Sequence, residues 1–296
     1  MTPKIPPPEP ARPEGDPDWE GDVVSLDDDP ARVGLGHPAL RTDVAHQARM
    51  YDYWLGGKDN FEADRKAGDA VNKAFPDTPY GARANRALLG RMVRYLAGEA
   101  GIRQFLDLGT GIPSAGNTHE VAQEAAPESR VVYVDNDPVV LSYAHALLTS
   151  GPHGATDYID ADLRNTATIL EKAARTLDFS RPVAVTLLMI LHAISDEDDP
   201  YGIVATLMDA VPSGSYLAIS HMASDIEPEK AAAVRDAANK LSYQQYSFRN
   251  RAELMRFFDG LDMLEPGLVQ LQQWRPDPYT NVNRTTLGWC GLARKP

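Results

Sequence analysis

Three aspartates lie within or just after short runs that we expect to form strands, where a carboxylate is placed to bind a ligand. Asp107 lies in Phe105-Leu-Asp-Leu, Asp135 ends Arg130-Val-Val-Tyr-Val-Asp, and Asp162 follows Asp160-Ala. A carboxylate inside a strand suits a positively charged group, and one at a strand end suits ribose hydroxyls or an adenine amino group. Because open α/β sheets bind ligands at the carboxyl edge of their parallel strands, the three aspartates together predict one binding site.

A glycine-rich turn follows the first of these runs. Gly109-Thr110-Gly111 lacks two side chains, so the backbone can turn sharply and a ligand can approach it closely. Asn117, with Glu120 three residues later, predicts the capping box of a helix. A strand, a glycine turn and a helix N-terminus in this order are typical of a site for a nucleoside cofactor.

The spacing of the glycines favours one class of cofactor over another. Gly109, Gly111 and Gly116 give G-x-G-x-x-x-x-G, which leaves more room than the dinucleotide pattern G-x-G-x-x-G. Asp107, just before the turn, fits poorly beside a pyrophosphate and well beside an α-ammonium group. Both features favour S-adenosylmethionine over a dinucleotide.

The elements that must position these residues alternate between strand and helix. We expect strands near 103–108, 130–135, 156–160, 183–191 and 215–220, with helices near 117–126, 138–148, 166–176, 199–210, 228–240 and 250–259. The chain should end in an antiparallel pair over 261–269 and 284–292. This order predicts a doubly wound α/β sheet.

The residues before the first strand divide into two parts. Residues 1–36 are rich in proline and acid and predict a disordered tail. Residues 37–100 predict a helical extension that ends in an amphipathic helix over 81–100, whose arginines we expect on its solvated face. Residues 101–296 then form the predicted Rossmann-like domain.

Composition excludes several classes of protein. The single cysteine, Cys290, excludes an intramolecular disulfide and a cysteine-based zinc site, and we expect no metal. A net charge of −13 argues against a dedicated nucleic-acid binder. The sequence has no apolar run of membrane-spanning length and no secretory signal, so we expect a cytoplasmic protein.

Longer motifs around these residues resemble a known family. They are Tyr51-Asp-Tyr-Trp-Leu-Gly-Gly-Lys-Asp-Asn-Phe61, Phe105-Leu-Asp-Leu-Gly-Thr-Gly-Ile-Pro113, Gly116-Asn-Thr-His-Glu-Val-Ala-Gln123, Val131-Val-Tyr-Val-Asp-Asn-Asp-Pro138 and Asp160-Ala-Asp-Leu-Arg164. From about residue 40 onwards the chain is similar to an actinobacterial family of S-adenosylmethionine-dependent methyltransferases. The resemblance implies a class I sheet of about seven strands, with the last strand antiparallel.

The resemblance also implies roles for individual residues. Asp107, Gly109, Thr110 and Gly111 would contact the methionine part of the cofactor, Asp135 with Asn136 the ribose, and Asp162 with the Leu163 backbone the adenine. Tyr51 and the turn Gly56-Gly57-Lys58 would close over the site. The product would be S-adenosylhomocysteine.

Catalysis of methyl transfer rests mainly on positioning, and a base is needed only if the acceptor loses a proton. His192, after the fourth strand, is the first candidate for that base, ahead of Tyr53, and a histidine satisfied by its own loop is an equal alternative. The sequence therefore predicts a methyltransferase with a small-molecule acceptor. A non-catalytic S-adenosylmethionine-binding sensor or scaffold and an NAD(P)-dependent oxidoreductase are the alternatives.

Overall fold

The computed structural model describes residues 41–141, 153–242 and 244–296. The predicted tail at 1–36 and most of the predicted helix at 138–148 lie outside these ranges. Residues Ala39–Pro296 form one compact unit, so the described N-terminal helices belong to the same body as the sheet.

One mixed sheet organises this unit. Its strands are β1 (Gln104–Leu108), β2 (Arg130–Asp135), β3 (Ala155–Asp160), β4 (Ala184–Leu188), β5 (Tyr216–Met222), β6 (Asp262–Met263), β7 (Val269–Gln270) and β8 (Gly288–Arg294). Their order is β3-β2-β1-β4-β5-β8-β6, and β7 also pairs with β8. The first five strands are parallel and β8 runs antiparallel to β5. The predicted class I sheet with an antiparallel last strand is confirmed.

Strands β1, β2, β4 and β5 are buried along nearly their whole length because helices cover both faces of the sheet. Leu106 of β1 packs with the side chains of β4 and β5 in one core, and Phe105 packs on the opposite face with α3 and Trp274. The helices are α1 (Gln47–Leu55), α2 (Glu62–Ala74), α3 (Thr78–Arg94), α4 (Thr118–Ala125), α5 (Thr166–Ala173), α6 (Pro200–Asp209), α7 (Pro228–Leu241) and α8 (Arg251–Met255). No helix among the described residues is long and apolar enough to cross a membrane.

The N-terminal helices pack at one end of the sheet. Met50 of α1 and Val71 of α2 share a third core with Val234 of α7. Helix α3 lies against the face of the sheet, and its arginines are not all solvated as predicted. Arg91 is buried and donates hydrogen bonds to the carbonyl oxygens of Trp274 and Leu271, at 2.9 and 2.8 Å. The apolar periodicity locates this helix but does not reveal that a later loop covers its other side.

The fourth strand is shorter than its apolar run predicts. β4 ends at Leu188 because Met189 adopts a positive φ of 56°, which a strand cannot continue through. A 3₁₀ turn at Leu191–Ala193 follows. This break turns the chain away from the sheet at the edge where the three predicted aspartates lie.

Candidate functional site

The carboxyl edge of the sheet carries an open cleft of about 690 Å³, here called the glycine-loop cleft. It is bounded by the turn Gly109–Gly111, by Asp107 and Asp135, by α1 and α3, and by residues 188–190. Backbone N–H groups of Gly109 and Thr110 donate to the carbonyl oxygen of Val134, at 2.8 and 3.3 Å. These bonds hold the turn against the end of β2.

Asp107 lies at the base of the glycine-loop cleft and is 5% exposed. Its carboxylate accepts hydrogen bonds from the hydroxyls of Thr118 and Thr186, at 2.6 and 2.7 Å. Burial raises the pKa of Asp107, and the two hydroxyls lower it in part. Within the described chain, no Lys, Arg or His forms an ion pair with Asp107. A buried carboxylate without a cationic partner fits a positively charged ligand group.

Asp135, at the end of β2, is also buried. Its two oxygens accept from the backbone N–H groups of Gly111 and Asp137, at 2.8 and 3.0 Å. Burial raises the pKa of Asp135, and these two hydrogen bonds lower it in part. A carboxylate oxygen accepts more than one hydrogen bond, so Asp135 retains acceptor capacity toward the cleft for ligand hydroxyls.

A polar groove continues from the glycine-loop cleft, which it joins at Gly109, Asp135 and Asn136. Asp162 and Leu163 line this groove. Asp162 accepts from Nε and Nη2 of Arg164, at 2.8 and 2.5 Å, and from Asn136 at 3.4 Å. The Arg164 guanidinium lowers the pKa of Asp162, so this carboxylate is already engaged where an adenine amino group would bind.

The N-terminal helices form the opposite wall of the glycine-loop cleft. His46, which caps α1, lies with Nδ1 2.6 Å from the carboxylate of Asp137 and joins α1 to the end of β2. The Tyr51 hydroxyl donates to the carbonyl of Ala82 at 2.9 Å and accepts from Asn85 at 3.0 Å. Tyr51 therefore lies in the wall of the glycine-loop cleft as a residue of α1.

A second cavity, of about 590 Å³, adjoins the first and is here called the apolar cavity. Its walls include Trp54, Phe75, Met222, Val234 and Leu287, and no Asp, Glu, Lys or Arg is among the described residues that line it. Both cavities are lined by four common residues, namely Gln47, Tyr51, Asn85 and Met189. The two cavities therefore lie next to each other at these four side chains.

His192 lines the apolar cavity and is 7% exposed. Burial, with a smaller contribution from the nearby Arg249 charge, lowers the pKa of His192 to about 3. Its Nδ1 atom is buried and has no hydrogen-bond partner among the described residues. The imidazole is thus neutral at ordinary pH.

Arg249 holds the turn that carries His192. Its guanidinium donates to the carbonyl oxygens of Leu191 and Ile194, at 3.0 and 2.9 Å, and to Nε2 of His221 at 2.9 Å. The same group lies 2.6 Å from the carboxylate of Asp196. One buried arginine therefore fixes the backbone on both sides of His192.

Four predicted site residues line neither of the two cavities nor the polar groove. Tyr53 points from α1 toward α2, where its hydroxyl donates to Asp69 at 2.7 Å. Gly56 ends α1 with a positive φ of 85°, and a side chain on Gly57 would collide with Asp52. Gly57 and Lys58 are exposed in the same turn. The glycine pair serves the sharp turn between α1 and α2, because Gly56 adopts a positive φ and Gly57 has no room for a side chain beside Asp52.

Several cavity residues carry no signal in the sequence. Gln47 and Met189 come together through a hydrogen bond of 2.5 Å from Nε2 of Gln47 to the Met189 carbonyl oxygen. Asn85 does carry a sequence signal, because it is a polar residue on the otherwise apolar stripe of α3. Its Oδ1 atom accepts from Ser220 of β5 at 2.7 Å.

Comparison with known proteins identifies the family of this chain. Residues 35–296 match the model of a family described as S-adenosyl methyltransferase. A DUF574 family protein from Streptomyces avermitilis is 46% identical, with a TM-score of 0.83 over 87% of this chain and 100% of that one. A candidate methyltransferase from Thermobifida fusca is 40% identical, with a TM-score of 0.80 over 87% and 97%. No curated protein sequence matches the chain.

Proposed function

Because the chain belongs to the S-adenosyl methyltransferase family, we propose that it transfers a methyl group from S-adenosylmethionine to a small molecule bound in the apolar cavity. The observation that carries this proposal is that the two cavities adjoin and share four lining residues, namely Gln47, Tyr51, Asn85 and Met189. The cofactor supplies an electrophilic methyl group on a positively charged sulfur.

The glycine-loop cleft and the adjoining polar groove offer partners for the α-ammonium group, the ribose and the adenine amino group of this cofactor. Asp107 is the buried acid for the α-ammonium group, and Asp135 with Asn136 faces the ribose. Gly109 and Gly111 have no side chains, so the ligand can approach the backbone of this turn closely. Asp162 and the backbone of Leu163 lie at the adenine end, where the amino group must share Asp162 with Arg164.

The walls of the apolar cavity support a small acceptor rather than a macromolecule. Trp54 and Phe75 form part of its wall, and its described lining has no lysine or arginine for a nucleic-acid phosphate. Apolar walls also exclude water from the acceptor, which strengthens every polar contact inside. Positioning and desolvation are the main sources of catalysis that these residues can supply.

His192 is available as a proton acceptor because it is neutral and lines the acceptor side. Its low pKa makes it a weak base, so it would assist an acceptor whose proton becomes acidic as the new bond forms. Tyr53 takes no part in this proposal, since its hydroxyl is bonded to Asp69 on α2.

Two measurements test the proposal. Calorimetry should detect S-adenosylmethionine and S-adenosylhomocysteine but not NAD or NADP. Incubation with methyl-labelled cofactor and a cell extract should then place the label in the small-molecule fraction. Label on protein or nucleic acid would contradict the small acceptor, and binding without any transfer would favour the sensor or scaffold alternative.

A further inference from the structure

Most polar side chains that line the apolar cavity are already hydrogen-bonded inside the protein. The hydroxyl of Thr78 donates to the Phe75 carbonyl at 2.7 Å, and that of Thr286 donates to Gln272 at 2.8 Å. The indole N–H of Trp54 donates to the Gly68 carbonyl at 3.4 Å. Tyr51 and Asn85 bond to each other as described above.

Two polar atoms of the described lining differ from the rest. Oε1 of Gln47 and Nδ1 of His192 are both buried and have no hydrogen-bond partner among the described residues. The orientation of the Gln47 amide follows from its contact, because the Met189 carbonyl can accept only from an N–H group, which leaves Oε1 as the free atom. Buried acceptors of this kind are rare in folded proteins unless a ligand or water completes them.

The position of Gln47 indicates which end of the apolar cavity the hydrogen-bond donor of a ligand would occupy. Gln47 lines both cavities, whereas His192 lines the apolar cavity and not the glycine-loop cleft. The terminal torsion of a glutamine side chain is soft, so a small rotation that keeps Nε2 within reach of the Met189 carbonyl turns Oε1 toward a ligand at the junction. A hydrogen-bond donor on the acceptor would therefore meet Gln47 at the point nearest the cofactor.

We propose that the apolar cavity binds an uncharged, largely apolar acceptor with a hydroxyl group, and that this hydroxyl donates its hydrogen bond to Oε1 of Gln47. The inference rests on the proposed function, because it takes the apolar cavity to be the acceptor side.

The absence of charged residues from the described cavity lining favours a hydroxyl over an ionic group. An alkyl amine is protonated at neutral pH and would enter a cavity whose described lining offers no carboxylate. A carboxylate would enter with no arginine or lysine to pair with it. Both ions lose their hydration without compensation, whereas a hydroxyl loses one hydrogen bond to water and gains one to Gln47.

Four naphthalene derivatives test the proposal on protein saturated with S-adenosylhomocysteine. They are 2-naphthol, 2-methoxynaphthalene, 2-naphthoate and the cation 2-naphthylmethylammonium, and their binding is measured by calorimetry. We expect 2-naphthol to bind about tenfold more tightly than 2-methoxynaphthalene, which lacks the donor, and more tightly still than either ion. Tightest binding by an ion, equal binding of naphthol and its methyl ether, or no binding of naphthol would overturn the proposal.

Two variants assign the preference to Gln47. In Gln47→Met the advantage of 2-naphthol over its methyl ether should fall to within about twofold. Gln123→Met is the matched control, because Nε2 of Gln123 also donates to a backbone carbonyl, that of Ser129 at 3.1 Å, and lines neither cavity. Retention of the tenfold preference in Gln47→Met would overturn the role of Gln47. The first titration, with S-adenosylhomocysteine alone, separates the two proposals, since its failure would remove the proposed function itself.

Discussion

The backbone N–H of Gly111 donates a hydrogen bond of 2.8 Å to Oδ2 of Asp135, which ties the glycine turn after β1 to the end of β2. The other oxygen of Asp135 accepts from the Asp137 N–H at 3.0 Å. One buried carboxylate therefore shapes the backbone of the glycine-loop cleft and faces the predicted ribose position. Loss of the Asp135 carboxylate should therefore both alter the glycine turn and weaken binding at the predicted ribose position.

We predict that Asp135→Ala weakens binding of S-adenosylhomocysteine about ten- to a hundredfold. Charge-assisted hydrogen bonds lost in a buried site cost roughly 1.5–3 kcal/mol, which corresponds to that range. Asp135→Asn should also weaken binding, because its amide N–H cannot accept from the backbone donors. Asp209→Asn, an exposed change on α6, is the control, and calorimetry is the measurement. Unchanged affinity in both Asp135 variants would contradict this role.

Gly109 and Gly116 both have positive φ, of 71° and 77°, but differ in their surroundings. A Cβ on Gly109 would lie 2.4 Å from Cγ1 of Ile190, and nothing lies within 4 Å of one on Gly116. We predict that Gly116→Ala costs about 1 kcal/mol of unfolding free energy from backbone strain alone. Gly109→Ala should cost about 1–3 kcal/mol more, because Ile190 must move. Urea unfolding of the two variants measures both losses of unfolding free energy. Equal losses would contradict the prediction, because they would mean that Ile190 moves without cost.

A chain of hydrogen bonds runs from Ser220 through Asn85 to Tyr51 and ends on the Ala82 carbonyl. We predict that Ser220→Ala and Tyr51→Phe each destabilise the protein by about 1–3 kcal/mol, since each leaves a buried group of Asn85 unpartnered. The double variant should lose less than the sum, because both changes act on one amide. Urea unfolding of the four proteins measures the coupling, and strict additivity would argue against a connected chain.

Burial of His192 should make stability depend on pH. Its pKa is about 3 in the folded protein against 6.5 in the unfolded chain, so the unfolded chain binds the extra proton as the pH falls below 6.5. The folded state therefore loses stability on acidification, by about 2 kcal/mol between pH 7.5 and pH 5. We predict that the stability difference between wild type and His192→Gln narrows by this amount over that range. His153→Gln, a surface substitution, is the control, and a pH-independent difference would contradict the prediction.

The fold and much of the glycine-loop cleft followed from local sequence patterns. The apolar residues next to Asp107 are enough to predict a buried strand there. Glu120 accepts from the Asn117 N–H at 2.9 Å, as the predicted capping box requires. Asp199 similarly caps α6 by accepting from the Gly202 N–H at 3.0 Å. Such features depend on residues a few positions apart, so the sequence alone contains them.

The acceptor side depended on tertiary structure. Tyr51 and Tyr53 are two residues apart on α1, yet the packing of α1 against α2 and α3 directs one into the cleft and binds the other to Asp69. Met189 and Gln47 are 142 positions apart and come together only when α1 packs beside the residue that follows β4. Sequence periodicity identifies an apolar face but not which neighbour will cover it. Which side chains line a shared cavity is decided when distant elements pack, since only then is each face either buried in a core or left open to a ligand.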